Sequence, residues 1–157
     1  MVVRPNTGNI VNCMEEFGHD ICPGVVLSNE LMKCLLHEDA ESYCLFSEKD
    51  RNELLFKIFH LLVIGGNYNQ FEDNVNPYLD TTRTLYKHLI SVENVAGVIS
   101  PTSKAYQVFL KDSENEITYP AEASEKEFIH PQTCLLLIVD EKAKLVTKLT
   151  NIWNGQS

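Results

Sequence analysis

Residues 53–86 read ELLFKIFHLLVIGGNYNQFEDNVNPYLDTTRTLY, and this stretch predicts two helices joined by a Gly-Gly break and a short acidic, aromatic connector. From residue 54 to residue 64, only Lys57 and His60 interrupt a run of apolar residues. A helix that is apolar around most of its circumference lies inside a core rather than on a surface. We therefore expect the first of these helices to be buried.

The ends of this helix carry residues that cap helices. Ser47 is a good N-cap, because its hydroxyl can accept from the free amides of the first turn, and Asp50 stands at the capping-box position three residues later. Gly65 and Gly66 end the helix, since glycine adopts the left-handed conformation without a Cβ penalty. We interpret this glycine pair, together with Pro77, as a structural hinge.

The second helix is predicted to begin at Asn76-Pro77, where Asn76 is the cap and the missing amide of a proline at N1 is harmless. A stripe at helical spacing follows, formed by Leu79, Thr82, Leu85, Tyr86, Leu89 and Ile90. A shorter helix is predicted earlier, over residues 28–37, with Ser28 as its cap. The two longer helices are expected to form a helical hairpin.

After residue 91 the pattern changes from helical spacing to that of strands. Residues 105–110 alternate and are rich in aromatic and β-branched side chains, 133–139 form a continuous apolar run, and 144–153 alternate again. The polar segment DEKA at 140–143 predicts a hairpin, and 111–131 an exposed loop. Helices first and strands later predict an α+β fold, with the N-terminal helices, including the long helical hairpin, packed on a small C-terminal antiparallel sheet.

Length and composition indicate one globular domain over residues 1–157, with 44% hydrophobic and 22% charged residues. Within it we expect an irregular lead-in at 1–27, a mainly helical part at 28–92 and a mainly β part at 97–153. No apolar run approaches the length that spans a bilayer, and the first residues lack the apolar region of a secretory signal. Five scattered cysteines without a CxxC pair indicate reduced thiols in a cytosolic compartment.

The chain is acidic, with 13 basic against 22 acidic residues and a formal charge of −9. The excess is concentrated early, since residues 1–46 hold two basic and seven acidic side chains. An acidic chain repels phosphate backbones and anionic lipids, which excludes nucleic acid and membrane surfaces as expected partners. The acidic surface can steer basic protein partners, although solubility is its commonest meaning.

Two His/Cys pairs have the spacing of a structural zinc site, His19-x2-Cys22 and Cys34-x2-His37. The order H-C-C-H is not the common finger order, and the second pair falls in a predicted helix. We therefore interpret these residues as buried small hydrophobes and surface imidazoles, and predict no metal and no cofactor.

No catalytic framework is found, so the sequence predicts that the protein is not an enzyme. There is no GxSxG elbow and no environment of a cysteine protease. Gly65-Gly66 lacks the lysine of a phosphate-binding loop and follows a helix instead of opening one. The adjacent acids Glu72 and Asp73 fit a helix cap or a binding contact better than paired hydrolytic carboxylates.

The connector is the best candidate for a partner-binding surface. It combines aromatic side chains that anchor interfaces with polar ones that fix orientation, namely Tyr68, Gln70, Phe71, Glu72, Asp73 and Tyr78. The alternative is that Phe71 and Tyr78 tuck back under the helix hairpin and that the acids cap it.

Several segments also carry a family resemblance: LLFKIFHLLVIGG, QFED and NPYLDTTRTLYKHLISV, the early GNIVNCMEEF, the long LSNELMKCLLHEDAESYCLFSEKDRNELLF and the late LLLIVDEKAKLV. In order and spacing they resemble the signature of the cilia- and flagella-associated protein 300 family. The similarity covers nearly the whole chain and corresponds to the carboxy-terminal part of the longer family members.

This resemblance implies a non-enzymatic factor that acts in cytoplasmic preassembly or ciliary transport of axonemal outer and inner dynein arms. The implied partners are dynein-arm subunits, dynein assembly factors or intraflagellar transport machinery, and the implied locations are the cytoplasm and the cilium or flagellum. Two alternatives are a stable structural component of the axoneme and a small metal-binding or hydrolytic domain built on the His and Cys pairs.

Overall fold

The structure is a computed structural model that describes residues 1–17, 27–65, 71–114, 117–120 and 130–153. The helices in these ranges are α1 (Glu30–Leu36), α2 (Glu48–Asn52), α3 (Leu54–Ile64), α4 (Val75–Leu89) and a 3-10 helix (Glu41–Leu45). The strands are β1 (Asn12–Phe17), β2 (Leu27–Asn29), β3 (Val92–Val95), β4 (Val98–Pro101), β5 (Ser103–Gln107), β6 (Leu110–Lys111), β7 (Ile117–Tyr119), β8 (Cys134–Asp140) and β9 (Leu145–Asn151).

The chain divides into two compact units, Met1–Arg83 with Gly155–Ser157, and Thr84–Asn154. The first unit holds most of the helical structure and the second holds β3 to β9, so the mixed α+β prediction is confirmed. The long helical hairpin is not confirmed, since α4 buries only Tyr78 and Thr82 among the described residues. The lead-in also contains more order than predicted, because β1 pairs antiparallel with β2.

A single cluster of buried residues holds the first unit together. Its members come from β2, α1, α3 and α4, and they are Leu27, Leu31, Met32, Leu35, Phe59, Val63, Ile64 and Tyr78. Helix α1 presents Leu31, Met32 and Leu35 to this core, and it begins one residue later than predicted. Its N-cap is Asn29 rather than Ser28, because the Asn29 Oδ1 accepts from the Met32 amide at 2.9 Å.

The capping box at Ser47 is confirmed, but it starts a short helix of its own. The Ser47 Oγ accepts from the Asp50 amide at 3.2 Å, and the Asp50 carboxylate accepts from the Ser47 amide at 2.9 Å. Helix α2 then ends at Asn52, where Glu53 leaves helical geometry with ψ at 140° and lets α3 begin at Leu54. Gly65 ends α3, as the sequence predicted, and its amide donates to the Leu61 carbonyl at 3.1 Å. Its φ of 73° is positive as expected, but its ψ of −153° places it outside the left-handed helical region, in a conformation that is open almost only to glycine.

Helix α3 is buried along one side and not around its whole circumference. The buried side consists of Leu54, Ile58, Phe59, Val63 and Ile64. Leu55 is 47% exposed, so the expectation of burial on every face is wrong for this residue, whereas Leu62 is partly buried and packs against the core cluster. Helix α3 therefore carries more apolar residues than the core of the first unit encloses.

The guanidinium of Arg51 connects the helices of this unit. It donates to the carbonyls of Cys34 at 3.1 Å, Leu35 at 3.2 Å and Tyr43 at 2.8 Å. It also lies 3.6 Å from the centroid of the Tyr43 ring and 5.4 Å from that of Phe56. The last carbonyls of α1 have no intrahelical donors, so the arginine satisfies them and binds α2 to α1.

The second unit is built around β8, the central strand of the sheet β5-β8-β9. Both neighbours are antiparallel to it, and Leu136 and Ile138 are only 2% exposed. The predicted hairpin at 140–143 is confirmed, because the Asp140 Oδ1 accepts from the amides of Lys142 and Ala143, each at 2.9 Å. Beyond β9, the Trp153 ring stacks on buried His130 with centroids 4.2 Å apart.

The hairpin of β3 and β4 lies where the sequence predicted no strand. Its turn places both Ala96 and Gly97 at positive φ, 54° and 85°, which is the geometry of the two-residue turns that match strand twist. Residues 110–119 also contain a short strand pair, β6 with β7, within the region expected to be a loop.

Truncating Phe59 tests the one-sided burial of α3. Phe59 is 9% exposed in the core cluster, so Phe59→Ala should lower the free energy of unfolding by about 3–5 kcal/mol in urea titrations. Leu55→Ala is the matched control on the same helix and should cost less than about 1 kcal/mol. Equal losses in the two variants would contradict the observed orientation of α3.

His60 makes the stability of the protein depend on pH. Burial, with Arg51 and Lys57 nearby, lowers the pKa of His60 from 6.5 to about 4. The unfolded chain takes up this proton near pH 6.5 and the folded chain only near pH 4. The free energy of unfolding should therefore fall by about 1–3 kcal/mol as pH drops through this window.

Urea titrations from about pH 5 to pH 7 measure the effect, since the ordinary pKa of His, about 6.5, lies in that range and those of Asp and Glu lie below it. His60→Phe keeps an aromatic ring beside Phe56 and should flatten the dependence. If the free energy of unfolding of His60→Phe still depends on pH to the same extent, groups other than His60 cause the dependence.

Candidate functional site

The predicted partner-binding residues lie on the connector between α3 and α4, of which the structure describes Gly65 and residues 71–74. Gly66, Tyr68 and Gln70 lie outside the described residues. Phe71 is 58% exposed, and the side chains of Glu72 and Asp73 are exposed beside it. An aromatic ring next to two carboxylates is therefore accessible to a partner on this part of the connector.

Tyr78 faces the other way and belongs to the core. It is 7% exposed within the cluster that includes Phe59, Val63 and Ile64. Its hydroxyl accepts from the Glu72 amide at 2.9 Å. For Tyr78 the structure thus favours the alternative in which the ring tucks inward, and its role is to hold the connector backbone in place.

The cap of α4 is Asn74 and not Asn76. The Asn74 Oδ1 accepts from the Asn76 amide at 2.9 Å, and the helix begins at Val75. Pro77 is consequently the third helical residue, where its missing amide is still harmless because first-turn amides have no intrahelical acceptor. Because an asparagine caps the helix, Glu72 and Asp73 are not needed for that purpose.

A turn near the start of the chain, residues 4–9, holds the connector from the opposite side. The turn is closed by the Gly8 amide donating to the Arg4 carbonyl at 2.9 Å. Backbone bonds then join the two segments, from the Ile10 amide to the Asp73 carbonyl at 2.8 Å and from the Val75 amide to the Gly8 carbonyl at 2.9 Å. Nothing in the local sequence pattern predicted this pairing, although Pro5 and Gly8 are turn residues that could have predicted the turn itself.

The side chain of Asn74 completes the joint. Its Nδ2 donates to the Thr7 carbonyl at 2.8 Å and to the Asn9 Oδ1 at 2.9 Å, while its Oδ1 caps α4. One amide group thus serves the helix and the turn together. Residues 71–73 are held between this joint and the Tyr78 hydroxyl, which presents Phe71, Glu72 and Asp73 on a fixed backbone.

The His and Cys residues considered as zinc ligands are only partly covered by the described ranges. Within the described ranges, no three His, Cys, Asp or Glu side chains are grouped to hold a metal ion. Of the zinc candidates, His19 and Cys22 lie outside the described residues, and the Cys34 thiol donates to the Ser42 carbonyl at 3.0 Å. The searched helices of the described segments are all too short or too polar to cross a bilayer.

Comparisons with known proteins place the chain near one family. The family described as "Cilia- and flagella-associated protein 300" matches residues 1–151. A protein of that name from Paramecium tetraurelia is 35% identical over 146 residues, which cover 93% of this chain and 53% of the relative. Another from Chlamydomonas reinhardtii is 38% identical over 109 residues, covering 68% of this chain and 40% of the relative.

The chain thus spans about half the length of the Paramecium relative and less of the algal one. No solved structure matches the chain significantly.

Gly8 offers a direct test of the joint between the turn and the connector. A Cβ at Gly8 would lie 2.9 Å from the Asn74 Oδ1, whereas a Cβ at Gly97 would meet nothing within 4 Å. Both glycines have positive φ, +76° and +85°. Each alanine variant should lose about 1–2 kcal/mol from backbone strain, and Gly8→Ala should lose about 1 kcal/mol more because it displaces the Asn74 cap.

The free energy of unfolding from urea titration measures both variants. Gly97→Ala serves as the control for strain without a contact. If Gly97→Ala loses as much stability as Gly8→Ala, the close fit of Gly8 against Asn74 does not contribute to the free energy of unfolding.

Proposed function

The chain belongs to the cilia- and flagella-associated protein 300 family, and from this membership we propose that it is a non-enzymatic factor for axonemal dynein arms. It acts in the cytoplasmic preassembly of outer and inner arms, in their transport into the cilium or flagellum, or in both. Its partners are dynein-arm subunits, dynein assembly factors or the intraflagellar transport machinery, and it works through protein–protein contacts.

One observation carries the contact-based part of this proposal, namely the fixed presentation of Phe71, Glu72 and Asp73. Interfaces gain most of their affinity from a few anchoring side chains, often aromatic, in a setting that excludes water. The backbone next to the exposed ring is already bonded, at the Glu72 amide by Tyr78 and at the Asp73 carbonyl by Ile10. This segment therefore loses less conformational freedom on binding than an unbonded loop would. The two carboxylates beside it favour a partner with basic groups at the matching positions.

A null strain tests the assembly role. Cells without the protein should keep their cilia or flagella but beat poorly, and electron micrographs of their axonemes should lack outer and inner arms. Purified wild-type axonemes should be depleted of the protein relative to dynein. Full arms and normal beating in the null strain would overturn the proposal, and retention at axonemal stoichiometry would replace it with a structural role.

The role of the connector in binding is tested by reversing its charges in a gene copy that is returned to the null strain. Glu72→Lys with Asp73→Lys should weaken co-purification of partners at least about tenfold, because like charges at an interface cost several kcal/mol. The fold should lose no more than about 1 kcal/mol, since both side chains are exposed and Asn74 caps α4.

The matched control is Glu48→Lys with Glu53→Lys. It makes the same change in charge at exposed acids near the starts of α2 and α3. This control should keep its partners and restore motility. A connector variant that stays folded, retains its partners and restores beating would remove Phe71, Glu72 and Asp73 from the interface.

A further inference from the structure

A second surface of the first unit has the form of a binding groove. It has a volume of about 620 Å³ and lies between α1 and the segment that follows it, residues 39–45. Glu30, Lys33 and His37 line it from the side of α1, because residues three and four apart share one helix face. Val2 closes part of another side. A volume in this range is typical of sites that hold small ligands or short peptide segments.

The groove is acidic. Of its charged lining residues, Glu30, Asp39 and Glu41 are acids, and Lys33 lies 3.8 Å from Glu30 as its ion-pair partner. Asp39 and Glu41 are exposed, and neither carboxylate forms a hydrogen bond or an ion pair with another described residue. The unit as a whole has six basic and 13 acidic side chains over residues 1–83, so it holds seven of the nine net negative charges.

One end of the groove is apolar. Leu45 lines it and is 66% exposed, and buried Ala40 lies along the same segment. A complex that covers this aliphatic side chain is stabilised, because apolar surface is removed from water. The groove can therefore accept one apolar side chain beside its charged rim.

Ser42, which also lines the groove, has a hydroxyl without a partner. Its Oγ is buried and forms no hydrogen bond within the described part of the chain, while its carbonyl accepts from the Cys34 thiol. A buried hydroxyl left unpaired is costly. The bond from Cys34 fixes this wall of the groove, whereas the Ser42 oxygen is closed to solvent and makes no contact with an occupant.

We propose that this groove binds a basic segment of a partner protein, in which Lys or Arg pairs with Asp39 and Glu41 and a neighbouring apolar side chain covers Leu45. This site is separate from the connector and does not depend on the dynein-arm proposal. The negative charge around it repels nucleic acid and anionic lipid. The exposed Leu45 beside the carboxylates favours a peptide with both basic and apolar side chains over a metal ion or a small cation.

Short capped peptides test the proposal on the full chain labelled with ¹⁵N. The probe is Gly-Arg-Leu-Lys-Gly, with Gly-Glu-Leu-Glu-Gly as the charge-reversed control and Gly-Arg-Ser-Lys-Gly as the control without an apolar side chain. The first peptide should shift amide resonances of residues 30–45 and saturate with a Kd below about 1 mM. Either control peptide should bind at least about fivefold more weakly.

Variants assign the contacts. Asp39→Asn with Glu41→Gln should weaken the first peptide about three- to tenfold and reduce its sensitivity to salt. Leu45→Ser should weaken it similarly without changing that sensitivity. Glu48→Gln with Glu53→Gln removes two exposed acids outside the groove and should leave the affinity unchanged.

Several results would overturn the proposal. They are the absence of saturable shifts, shifts that map outside residues 30–45, equal binding of the charge-reversed peptide, and unchanged binding by Asp39→Asn with Glu41→Gln. If CaCl2 alone moves the same resonances and the peptide does not, the groove is a cation site. The peptide series uses unaltered protein, so the test stands even where a variant fails to fold.

Discussion

The first unit depends on the guanidinium of Arg51, because one side chain satisfies carbonyls that belong to two separate segments. It donates to Cys34 and Leu35 at the end of α1 and to Tyr43 in the 3-10 helix, and it lies over the Tyr43 ring. Hydrogen bonds from a charged donor are worth about 1.5–3 kcal/mol each, and unpaired buried carbonyls are costly. The arrangement fixes α1 relative to residues 39–45. These two segments are the walls of the acidic groove.

The connector depends in a similar way on the side-chain amide of Asn74, which forms hydrogen bonds with two segments. Its oxygen caps α4 while its nitrogen holds the turn at residues 4–9, so the first residues and a segment more than 60 positions later form one joint. Gly8 permits the close approach because it has no Cβ. The outcome is a pair of surfaces on one unit, an aromatic and acidic edge at residues 71–73 and an acidic groove at α1. Both carry exposed acidic side chains, which accords with the charge of this unit.

Much of the fold could be predicted from short-range patterns. The capping box at Ser47, the positive φ of Gly65, the central strand β8 and the hairpin at 140–143 are each decided by a few neighbouring residues. The errors arise where distant residues decide. Helix α3 is as apolar at Leu55 as at Phe59, yet only the second faces the core. The β3–β4 turn was missed because Ala96 occupies a conformation that glycine or asparagine usually signals.

The candidate site shows the same difference between what local patterns predict and what distant contacts decide. The sequence by itself determined that a connector rich in aromatic and acidic residues follows a glycine stop, that the chain is strongly acidic, and that its motifs resemble those of one family. Only the tertiary structure decided that Tyr78 is buried while Phe71 is exposed, that Asn74 rather than Asn76 caps α4, and that Asp39, Glu41 and Leu45 share a groove. The physical reason is that hydrogen bonds and burial depend on which distant segments meet, and local spacing does not contain that information.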